Sequence, residues 1–151
     1  HDNNDDGFSD HDYCESEIYG GLYEYNGKAG ITPSYGSHCK CIGVYSRKNY
    51  NGFYYTGNGT GDGGVGGQMQ CISCVAESNR RGVNKANAGF CVDTSGNTMI
   101  LIGCRSIDNA IGYNVPSGTT ATIIDCTSND SQATAGKARM TIKNGTLISA
   151  S

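Results

Sequence analysis

The opening seventeen residues, HDNNDDGFSDHDYCESE, carry Asp2, Asp5, Asp6, Asp10, Asp12, Glu15 and Glu17, half of the 14 acids in the chain. His11 lies among them, and His38 and Lys40 follow. Carboxylates beside imidazole or ammonium groups are the residue types of general acid–base chemistry, because differing environments hold one group protonated and another ionised. The same residue types also build ordinary solvated salt-bridge ladders. The choice between the two depends on which side chains share a face.

Cysteine is the second chemical candidate. Cys71 and Cys74 form a Cys-x-x-Cys pair, and Cys39 and Cys41 flank Lys40. A zinc site needs a second pair at matching spacing. None stands out among the eight cysteines, so neither metal nor cofactor is expected. The glycine-rich run TGNGTGDGGVGG, Thr56 to Gly67, lacks the Gly-Lys-Ser/Thr that ends a phosphate loop, and reads as a surface excursion.

What must position these groups is a repeat. The segments CVAESNRRGV (Cys74–Val83) and CRSIDNAIGY (Cys104–Tyr113) share Cys, Asn, Gly and an apolar residue at fixed offsets. The Asn marker recurs at Asn4, Asn26, Asn49, Asn79 and Asn109, and Ser131 occupies its place in a later unit. Eight residues before the marker stand Ile18, Cys41, Cys71 and Leu101, and ten before stand Ser16, Cys39, Met69 and Met99. Two offsets differing by two, mostly apolar, describe the inward face of a strand. Units of roughly 22 residues, two of them longer, are too short for helical solenoids, whose repeats run to about 33 or more.

They fit an all-β, right-handed, single-stranded parallel β-helix of about six coils over residues 1–151, on the order of 30 Å tall at about 4.8 Å per coil. In such a stack the Asn amides hydrogen-bond along their column. The Gly residues supply a special backbone conformation. Phe8, Ile31, Phe53, Val83 and Tyr113 stack inside, and the cysteines are small apolar fillers. The second longer unit has its surplus around Lys85 to Asn97. Because the chain begins at His1 within a repeat, it reads as a piece of a longer or processed protein.

Composition agrees: 23 Gly, 2 Pro, 10 Tyr and only 17% charged residues suit short strands and tight turns. A net charge of −3 with no extended basic patch argues against nucleic acid. No apolar run reaches the roughly 18 residues of a membrane span.

Register then sharpens the acid–base candidates. If offsets −10 and −8 point inward, −11 and −9 point outward. This places Glu15, Glu17, His38, Lys40, Gln68 and Gln70 on one outer face, with Asp10, His11 and Asp12 in the segment entering it and the glycine-rich excursion as a wall. Tyr13, Tyr19, Tyr23, Tyr25, Tyr35, Tyr45, Tyr54 and Tyr55 add aromatic surface.

The NxxGF turns, the Cys/Ile/Val columns and the NNDDGFSDH opening resemble right-handed parallel β-helix proteins of the pectate-lyase-like superfamily. The Tyr- and Gly-rich character is most similar to bacteriophage tailspike depolymerases. The resemblance implies a homotrimer in a virion tail that binds a bacterial surface polysaccharide and cleaves it by hydrolysis or β-elimination. For hydrolysis it implies two carboxylates among Asp6, Asp10, Glu15 and Glu17; for elimination, His38 or Lys40 as the base. His11 is a further catalytic candidate, and Lys40, Gln68, Gln70, Tyr13 and Tyr35 are substrate-binding candidates. The alternative is a non-catalytic structural or adhesive segment of a fibre.

Overall fold

The computed structural model describes residues 2–57, 66–79 and 87–149. Among these, the chain winds as a right-handed parallel β-helix of six coils, each coil giving one strand to each of three six-stranded sheets. Sheet A holds Phe8–Asp10, Ala29–Pro33, Asn51–Tyr55, Ala88–Val92, Ile111–Asn114 and Gln132–Ala135. Sheet B holds Glu15–Tyr19, His38–Ile42, Gln68–Ile72, Thr98–Ile102, Thr120–Ile124 and Met140–Lys143. Sheet C holds Leu22–Glu24, Tyr45–Arg47, Val75–Glu77, Arg105–Ile107, Thr127–Asp130 and Thr146–Ser149. Among the described residues no helix is long and apolar enough to cross a membrane.

Register follows the expected offsets on sheet B. Cys39 pairs with Met69 and Cys41 with Cys71, and Met69 and Cys71 pair onward with Met99 and Leu101. All of these are buried. Sheet A fills the opposite side of the interior with aromatic rings. Phe53, Phe90 and Tyr113 stack nearly parallel, with centroids 4.9 and 5.4 Å apart. Such pairs contribute roughly 0.5–1.5 kcal/mol each beyond their area burial. Phe90 therefore takes the place expected for Val83, which lies outside the described residues, as does most of the glycine-rich run. The expected surplus at Lys85–Asn97 is also corrected: Ala88–Val92 is a regular sheet A strand, in register with the coils on both sides.

The asparagine column closes the corner between sheets C and A. Asn26, Asn49, Asn79 and Asn109 are fully buried. Each Nδ2 donates to the next coil's side-chain oxygen: Asn26 to Asn49 at 3.0 Å, Asn49 to Asn79 at 3.3 Å, Asn79 to Asn109 at 3.0 Å. Each of these oxygens also accepts the backbone N–H of the preceding Asn. The column begins at Asn3, not Asn4, and ends at Asp130, not Ser131. A carboxylate suits that end because it only accepts. Asp130 takes the Asn109 amide and N–H on Oδ1, and the Ser128 hydroxyl on Oδ2 at 2.6 Å.

The neighbouring glycines serve a different purpose from the expected one. Gly30, Gly52, Gly89 and Gly112 do not adopt positive φ. They are required because the next coil leaves no room for a Cβ, which on Gly52 would lie 2.5 Å from the Gly89 carbonyl oxygen and 3.0 Å from Asn79 Nδ2.

All eight cysteines are free thiols; Cys14 is exposed and the other seven are buried. Burial pushes the Cys91 thiol up to about 12. Local desolvation and the Asp10 carboxylate also raise Cys14, so its labelling should speed up with rising pH. Thiol titration should find one reactive group in the folded protein and eight after denaturation without reductant. Finding fewer than eight in denaturant would overturn this account.

Candidate functional site

Strand alternation turns Ser16, Ile18, Cys39 and Cys41 away from solvent and their neighbours outward. Glu15 pairs with His38 and Glu17 with Lys40; those residues pair in turn with Gln68 and Gln70. The six side chains line one open groove of about 410 Å³ on the outer face of sheet B. Along the helix axis the floor passes from two carboxylates, through an imidazole and an ammonium, to two amides.

Within this groove Glu17 is the most constrained group. The Tyr19 hydroxyl donates to one carboxylate oxygen, and Lys40 Nζ lies 3.2 Å from the other. The Tyr19 hydrogen bond first, and Lys40 second, hold Glu17 below the ordinary 4.5. Glu17 thus serves as a fixed negative charge in the groove, beside the strand-paired Glu15 and His38. In a carboxyl NMR titration, the Glu17 midpoint should lie below 4.5 and rise in Tyr19→Phe and in Lys40→Met. A lowered midpoint means that the charge persists as pH falls, and removing either partner returns protonation to higher pH. A wild-type midpoint at or above 4.5 would contradict the assignment.

The other expected residues are not brought to this groove. Asp10, placed by the sequence in a segment entering the face, is the last residue of a sheet A strand and is buried. Asp6, His11 and Tyr35 line a separate cavity of about 360 Å³ on the outer face of sheet A. Tyr13 is exposed and lies over Gly36, where a Cβ would come within 2.5 Å of its ring. The separation has a local cause. Asp12 and Tyr13 take φ of 60° and 61°, turning the chain around the corner between the two sheets. Residues close in sequence on either side of that corner consequently face different directions. The aromatic surface is also smaller than expected, because Tyr55 is fully buried and its hydroxyl donates to the Ser37 carbonyl at 2.9 Å.

The sheet A cavity contains residues that the sequence reading passed over: Thr32, Ser34, Tyr50 and Thr56, with Tyr54 noted only as surface. A second hollow of about 250 Å³ shares Tyr50, Asn51 and Tyr54 and continues the groove to Asp93 and Asn114. A signal for this face was present. Ser9, Thr32, Tyr54, Cys91 and Asn114 each follow an inward residue of the aromatic column and so point outward. Asp6 is anchored on this face, accepting the Ala29 N–H at 2.9 Å and the Thr32 hydroxyl at 2.8 Å. Lys28 pairs with Asp5 at 2.6 Å beside it.

No family model, curated protein or solved structure matches the chain.

Proposed function

We propose that this chain is a tailspike-type β-helix of the pectate-lyase-like kind, which binds and depolymerises a bacterial surface polysaccharide in the sheet B groove. The observation that carries the reading is the register-aligned pairing of Glu15 with His38 beside an ion-paired Glu17 and Lys40, all over one open groove. An open floor of charged and amide side chains suits a chain of sugars better than a compact metabolite, which prefers an enclosed apolar pocket. In hydrolysis Glu15 transfers the proton and ionised Glu17 stabilises positive charge developing at the sugar ring. In β-elimination His38 removes the proton α to a uronate carboxylate, and Lys40 neutralises that carboxylate. Gln68 and Gln70 extend the polar floor along the axis. The working assembly is a homotrimer in a virion tail, acting at the bacterial surface.

A purely adhesive fibre segment is the second reading. It is favoured by the Arg47–Glu24 pair at 2.7 Å on sheet C, which repeats across the same two coils the acid–base stacking of Glu17 and Lys40. Incubation with a panel of capsular and O-antigen polysaccharides separates the readings. Absorbance from an unsaturated uronate identifies a lyase, and new reducing ends without it identify a hydrolase. Binding without either product supports adhesion and removes the enzymatic claim.

A further inference from the structure

We propose that the sheet A face carries a second and independent catalytic site, in which Ser9, His11 and Ser34 hydrolyse a neutral carboxylic ester of a hydroxylated compound. His11 Nε2 lies 2.5 Å from Ser9 Oγ, and its Nδ1 lies 2.5 Å from Ser34 Oγ. Ser34 is buried, and its hydroxyl also reaches the Asp10 carbonyl at 3.2 Å. A carbonyl can only accept, so a Ser34 hydroxyl that donates there accepts the Nδ1 proton of His11. The free lone pair of the ring is then on Nε2, where it accepts the Ser9 hydroxyl. This is the nucleophile, base and orienting-group arrangement of acyl transfer, with a serine as the orienting group.

Ser9 and Ser34 are held by the sheet, and His11 leaves the end of the first strand as an exposed residue held by its two serine contacts. Ser9 sits within the first sheet A strand. Ser34 donates its own N–H to Asp10 at 2.8 Å and bridges to Thr56. The His11 ring lies against Tyr35, with centroids 6.0 Å apart. Ser9 is exposed, as a nucleophile must be.

The adjoining cavity of about 360 Å³ defines the substrate class. Tyr35, Tyr50 and Tyr54 line it with aromatic rings, on which a sugar-like alcohol can stack. The anchored Asp6 carboxylate repels an anionic acyl group, and Lys28, ion-paired with Asp5, lies on the cavity rim. In the reaction, Ser9 Oγ attacks the ester carbonyl and its proton passes to His11 Nε2. The C–O bond to the alcohol breaks and the alcohol leaves with that proton. Water then attacks the acyl-Ser9 ester, giving its proton to His11. Ser9 departs, recovers the proton, and the carboxylic acid is released. Ester and water become acid and alcohol.

The site stands apart from the sheet B groove and does not depend on polysaccharide cleavage there. The test uses 4-nitrophenyl acetate, 4-nitrophenyl succinate and a fluorophosphonate probe on the whole chain. The probe should modify Ser9 stoichiometrically, as read by peptide mass spectrometry. Ser9→Ala and His11→Ala should each lower acetate ester turnover by at least about 10²-fold, with unchanged melting temperature. Ser34→Ala should lower kcat about tenfold and displace the pH profile of kcat, because Ser34 positions the base through His11 Nδ1. The acetyl ester should turn over at least about tenfold faster than the succinyl ester, and Asp6→Asn should narrow that gap. Ser9→Ala should leave any polysaccharide cleavage intact. Absence of probe on Ser9, or wild-type ester turnover in Ser9→Ala, overturns the proposal; turnover of both esters at equal rates overturns the acyl-group assignment.

Discussion

Polysaccharide cleavage by Glu15→Gln and by His38→Ala should each fall by at least about 10²-fold, the usual scale for losing a general acid or base. Glu15 and His38 are adjacent partners across two strands, both exposed in the groove, while Glu17 is committed to Tyr19 and Lys40. Glu15→Gln keeps the side chain's size and hydrogen-bonding capacity but removes the transferable proton. Melting temperature should barely change, because exposed charged pairs contribute little to stability, about 0–1 kcal/mol. Initial rates on a cleaved host polysaccharide, measured beside thermal unfolding, check both statements. Full activity in both variants would move the chemistry off this face. Loss of activity together with a large loss of stability would mean that the face is structural.

Asn79→Ala should destabilise the fold by about 1–3 kcal/mol, the cost of leaving a buried donor without its partner. The Asn79 side chain accepts the Asn49 N–H at 3.1 Å, and the truncated residue cannot. The loss is contained on either side. Asn49 Nδ2 keeps Tyr23 and Ser46 oxygens at 3.0 Å, and Asn109 Oδ1 keeps the Asn79 N–H at 2.9 Å. Asn4→Ala is the matching control. Asn4 is exposed and Asn3 occupies the column, so this variant should stay within about 0.5 kcal/mol of the parent. Denaturant unfolding of the two variants measures the difference, and equal effects would contradict the ladder as drawn.

What the amino-acid order determined by itself is the interior of the stack. Period-two alternation repeated at a constant offset leaves one way to bury Cys39, Cys41, Met69, Cys71, Met99 and Leu101 together. The same offset puts Glu15, Glu17, His38 and Lys40 on the opposite face, and their groove was legible for that reason. The Asn column was equally legible, because a buried amide recurring at one position requires partners at that position above and below.

Only the tertiary structure decided where the chain turns and which residue completes each column. The corner at Asp12 and Tyr13 uses positive φ at residues other than glycine, a choice that side-chain type does not announce. It separates Asp6 and His11 from Glu15 and buries Asp10. Asn79 is followed by a glycine at the usual offset, yet Gly89 and Phe90 complete that coil. Two matching patterns lie close together there, and the choice falls to the one whose backbone pairs with Asn51–Tyr55 and Ile111–Asn114. Asp130 ends the ladder because it only accepts hydrogen bonds, a reason visible once the Asn109 backbone N–H and side-chain amide are both seen to donate to its Oδ1. The sheet A groove exists because residues from successive coils meet there, at separations along the chain that local pattern does not connect.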